Sequence, residues 1–84
     1  MKFTVVYAPE AERQLMELWL DAAARRAVTA AADAIDEILA SNPIEIGESR
    51  PEGMRILFVE PLAVIFRVQV EDRIVIVTEV WRFR

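Results

Sequence analysis

The side chains able to do chemistry are few, and their types narrow the choice. There is no histidine and no cysteine. The commonest general base, the commonest metal ligand and the thiolate nucleophile are therefore all missing. What remains as a pattern is a set of arginines in the last third of the chain: Arg55, Arg67, Arg82 and Arg84. A guanidinium presents a planar fork that matches phosphate oxygens, so four of them could clamp a phosphate and stabilise a charged transition state. Arginine stays protonated and makes a poor base, so strand cleavage would also need a carboxylate. Glu79 is the candidate, with a cross-strand ion pair to Arg67 or Arg82 as its plainer role. The arginines have a plainer reading too, as solvated strand ends. Asp33, Asp36 and Glu37 scatter around one polar helix face, which suits solvent better than a metal. No cofactor is expected.

These residues need elements to carry them. Lys2 to Tyr7 is β-branched and aromatic, with Phe3, Val5 and Tyr7 on one face, which predicts a strand. Ala8-Pro9-Glu10 changes the period, with proline suited to the first helical position and glutamate to the positive end of the dipole. Ala11, Leu15, Leu18 and Trp19 make an amphipathic stripe, and Trp19 is expected in the core. Asp21 is a candidate N-cap for a second helix, along which Ala24, Val28, Ala31, Ile35, Ile38 and Leu39 recur. Asn42-Pro43 ends it. Residues 43–53 read as a loop. Three strands follow, at 54–59, 62–70 and 73–83, joined by short turns that imply an antiparallel meander. The expected architecture is α+β, in the order β-α-α-β-β-β, with a helical hairpin on a mainly antiparallel sheet. A chain of 84 residues makes this one domain, 1–84.

Strict alternation along the last strand puts Val75, Val77, Glu79 and Trp81 on one face, and Ile74, Ile76, Thr78 and Val80 on the other. Two helices cover only one face of a sheet. The first set, with Ile65 nearby, is the expected open face and the candidate partner surface. Trp81 divides between a binding anchor and a cap on the core. Hydrophobic residues make up 55% of the chain, above the usual share, which supports a surface meant for a partner.

A net charge of −4 argues against a broad nucleic-acid surface. No apolar run is long enough to span a membrane, and the N-terminus lacks a leader's apolar stretch, so a cytoplasmic location is the expectation.

The ordered set Ile38-Leu39, Pro43, Gly47, Arg50, Gly53, Met54-Arg55, Phe66-Arg67-Val68 and Val80-Trp81-Arg82 resembles the RelE/ParE toxin superfamily of type II toxin–antitoxin systems. The likeness spans nearly the whole chain. It implies a toxin held inactive by an antitoxin that wraps around it. RelE-like members cut messenger RNA on the ribosome; ParE-like members poison DNA gyrase and need no catalytic residues. The resemblance places one basic ribonuclease position on Arg55. The next falls on Leu57, another on Ala63, and the basic strand end is matched loosely by Arg82 and Arg84. The C-terminal tyrosine or histidine has no counterpart. The implied partners are an antitoxin, with the ribosome and its messenger or gyrase as targets. A degenerate, non-toxic binding module of the same fold is a further alternative.

Overall fold

The computed structural model describes residues 2–84. Its elements run β1 (Thr4–Tyr7), α1 (Pro9–Trp19), α2 (Arg25–Ser41), a two-residue β2 (Glu48–Ser49), a 3-10 turn at Pro51–Gly53, β3 (Arg55–Val59), β4 (Leu62–Gln69) and β5 (Ile74–Arg82). The five strands form one sheet in the order β1-β5-β4-β3-β2. β2, β3, β4 and β5 are joined antiparallel, whereas β1 runs parallel to β5. The helical pair carries the chain from β1 to β2 at the far edge of the sheet, and the meander then returns strand by strand to lay β5 beside β1.

Local sequence explains most of the boundaries. Pro9 sits in the first turn of α1, with Glu10 and Glu12 at the positive end of the dipole. Asp21 does not cap α2, which starts later, at Arg25. Its Oδ1 instead accepts the backbone N–H of Ala23 at 3.1 Å, closing the turn between the helices. Gly47 takes φ +79°, and a Cβ there would lie 2.5 Å from the carbonyl oxygen of Ile56. Glycine is required at this point for both reasons.

The core lies between the helices and one sheet face. Val28, Ala31, Ile35 and Leu39 of α2 meet Leu62, Val64, Phe66, Val75, Val77 and Val80. Among the described residues it contains no buried polar or charged side chain. Val5 and Tyr7 of β1, and Phe3 just before it, pack against the core, as their shared face implied.

One irregularity decides which residues face where. Ile65 pairs with Glu79, but the next residue, Phe66, pairs with Val77. Thr78 is therefore a bulge, and its Oγ1 donates to the Ile65 carbonyl at 3.2 Å. Val75, Val77 and Val80 consequently all turn toward the helices. Ile74, Ile76, Glu79 and Trp81 turn the other way. Strict alternation fails because one extra residue reverses every side chain beyond it.

Candidate functional site: the open sheet face

The face away from the helices is built from alternate residues of four strands. Val6 comes from β1, Ile74, Ile76, Glu79 and Trp81 from β5, Ala63, Ile65, Arg67 and Gln69 from β4, and Ile56 and Phe58 from β3. Phe58 is 47% exposed and Val6 41%. Ile65, Ile74, Ile76 and Trp81 are half-buried. Phe83 continues the patch, its ring 5.2 Å from that of Phe58 in an edge-to-face contact. Ala63 lies across the sheet from both Phe58 and Trp81 and is fully buried. The result is an aromatic corner at the end of an aliphatic stripe, with Arg67 and Glu79 set within it.

The expected partner surface is thus half corrected. Val75 and Val77 have no exposed area and belong to the core. Glu79 and Trp81 do lie on the open face, and Ile74 and Ile76 replace the two valines. The sequence holds no clear signal for this exchange, because both sets are β-branched and alternate equally well.

The four arginines do not converge. Arg55 and Arg82 point to the helix side, Arg67 to the open side. Arg55 pairs with Phe66 and Arg82 with Leu62, so they stand about 13 Å apart along the sheet and about 10 Å across it. Arg55 is already engaged: its Nε donates to the Ile46 carbonyl at 2.8 Å, and its two terminal nitrogens to the Ser49 hydroxyl and the Gly47 carbonyl, each at 3.1 Å. It ties the loop before β3 to the sheet. Arg82 donates from Nε to the Arg84 carbonyl at 2.6 Å and lies 3.7 Å from Asp21. Arg84 lies 3.9 Å from Glu60. Glu79 makes no ion pair with Arg67 or Arg82, and neither Glu79 nor Arg67 has an oppositely charged neighbour within 4 Å among the described residues. A four-arginine phosphate clamp is therefore not assembled. Ala63, where the resemblance called for an arginine, stands on the open face between two aromatic rings and offers no charge.

A second surface went unread. Leu15, Met16, Trp19, Val28 and Ala32 floor a shallow groove of about 410 Å³ between α1 and α2. Trp19 is 43% exposed, not part of the core. Its Nε1 donates to Thr29 Oγ1 at 3.0 Å, and Arg25 lies 4.3 Å above its ring, so the indole latches the hairpin. Glu12, Asp33 and Asp36 edge the groove. Asp36 also accepts the Tyr7 hydroxyl at 2.7 Å. Burial, that hydrogen bond and the charges of Asp36 and Asp33 push the Tyr7 pKa well above the ordinary tyrosine value. Among the described residues no three acidic side chains come together as a metal site, and no helix is long and apolar enough to cross a membrane.

Residues 5–83 match the family model described as the ParE toxin of the type II toxin–antitoxin system parDE. No curated protein matches the sequence. The fold is similar to a chain of the toxin–antitoxin complex RelBE2 from Mycobacterium tuberculosis, at 21% identity and a TM-score of 0.81, covering 98% of this chain and 99% of that one. It is also similar to a chain of the chromosomal ParDE system from P. aeruginosa, at 16% identity and TM-score 0.68, covering 99% and 98%. A chain of the intact E. coli RelBE complex aligns at 17% identity and TM-score 0.69, covering 95% of each.

Proposed function

Since the chain belongs to the ParE toxin family of type II toxin–antitoxin systems and is the toxin component of such a system, we propose that it acts by binding its target, not by cutting RNA. Its antitoxin silences it by covering the open sheet face. The observation that carries this reading is the apolar patch of Val6, Ile74, Ile76, Ile65, Trp81, Phe58 and Phe83, which no element among the described residues covers. An uncovered patch of this kind, with aromatic anchors at one end, is what a protein partner needs. Solved structures similar in fold come from complexes of toxin with antitoxin, which agrees with the same reading.

DNA gyrase is the target put first, because ParE-like toxins act on it without catalytic residues. The ribonuclease reading has less support. A cleaving site needs a base and converging positive charge. Here Arg55 is occupied by the loop, Arg67 lies on the other face, and Arg82 donates to the Arg84 carbonyl with Asp21 3.7 Å away. The test is two assays on the purified chain. Supercoiling by gyrase should be inhibited, and messenger in a translating ribosome extract should stay intact. Messenger cut on the ribosome, with cutting lost in an Arg67→Ala plus Arg82→Ala variant, overturns the proposal.

A further inference from the structure

The open face carries its own electrostatic complement. Four residues at its centre form a rectangle on β4 and β5: Ile65 opposite Glu79, and Arg67 opposite Ile76. The two charges occupy one diagonal and the two isoleucines the other. Arg67 and Glu79 are exposed and have no ion-pair partner among the described residues. Apolar side chains flank it, with Val6 beside Ile76 on β1, Ile74 beyond Ile76 on β5, and Trp81, Phe58 and Phe83 at the other end.

When two copies of a face stack, the two-fold axis relating them lies in the plane between them. Set along the Ile65–Ile76 diagonal, that axis brings each of the other two corners to within about 2–3 Å of the other's position. Arg67 of each copy then comes over Glu79 of the other, and each isoleucine meets its own counterpart. Two reciprocal ion pairs and an apolar centre follow from one symmetry operation, the condition for an isologous contact that closes on itself. From the strand spacing and rise, the diagonal lies about 35° from the strands, so the two sheets cross at roughly 70°, close to the orthogonal class of sheet packing.

We propose that, free of its antitoxin, this chain forms a two-fold homodimer through the open sheet face, with Arg67 and Glu79 pairing reciprocally between copies. The proposal concerns the chain alone and stands whether or not the antitoxin uses the same face. The alternatives for the face are a different protein or none.

The test is solution mass by sedimentation or light scattering on the full chain, with circular dichroism as the check on folding. The wild type should run at twice its 9.6 kDa mass. Arg67→Glu places two like charges in each contact, as does Glu79→Arg, and each variant should be folded and monomeric. The double variant carrying both changes should dimerise again. An equimolar mixture of the two single variants should give a heterodimer, because both of its contacts then pair opposite charges. A structural role within one chain predicts no such rescue by mixing. A monomeric wild type, or single variants that stay dimeric, overturns the proposal.

Discussion

Replacing Arg55 with alanine removes three hydrogen bonds at once: to the carbonyls of Ile46 and Gly47 and to the Ser49 hydroxyl. A hydrogen bond from a charged donor is worth about 1.5–3 kcal/mol when sheltered, and nearer 0.5–1.5 kcal/mol where water competes. Only the bond to Ile46 is partly sheltered; the other two are exposed. The three together come to roughly 2.5–6 kcal/mol. Total stability for a chain of this size is small, so the loss should be plain. At about 4–8 °C per kcal/mol for a domain of this length, the melting midpoint should fall by at least about 10 °C. A thermal melt followed by circular dichroism measures it. Arg55→Lys keeps the charge but loses the fork, and should recover less than half of the loss. Hydrogen exchange should show the 43–50 segment loosening before the meander does. An unchanged midpoint in Arg55→Ala would refute the reasoning. It would mean that Arg55 does not hold the loop and is available to an outside anion.

Gly47→Ala should destabilise by at least about 1–2 kcal/mol from the left-handed backbone alone. The contact with the Ile56 carbonyl adds to this, and a urea titration reads the sum. Deleting Thr78 removes the bulge yet leaves Glu79 opposite Ile65 and Val80 facing inward, so it should cost only about 1 kcal/mol, the value of the lost hydrogen bond. Deleting Val80 instead turns Trp81 into the core and should abolish cooperative unfolding; equal effects of the two deletions would contradict the register. The raised Tyr7 pKa means that the folded state holds its proton more tightly than the unfolded chain does. Its contribution is therefore fully present below about pH 10, the unfolded value, and declines as pH rises above it. Stability measured across the alkaline range should fall less steeply in Tyr7→Phe than in the wild type.

Most of the architecture was legible because it rests on local chemistry. Pro9, the α2 stripe ending at Asn42-Pro43 and the two short turns of the meander mark their elements directly. The inward set of β4, Leu62 to Val68, follows from simple alternation. Two features were not legible. A bulge leaves no trace in a strand that is β-branched on both sides, so Val75 and Val77 read as open-face residues when they are core. The parallel pairing of β1 with β5 joins residues some 70 positions apart, and nothing local specifies it. The arginines show the same limit for the site. Their type suggests phosphate, but their use depends on which face each strand presents. Arg55 meets loop carbonyls that the sequence places nine and eight residues upstream, and only the fold brings them to it. Trp19 lies on the α1 stripe, which predicts a place in the core. The stripe is wider than the contact, and the indole at its end latches the hairpin from outside.

On the function proposed above, this toxin component is restrained by a partner that covers its open sheet face. Induced expression with and without the gene adjoining its own, scored as growth, tests it most directly. Arrest with the chain alone and growth when both are present is the predicted result. Normal growth under both conditions would contradict the claim.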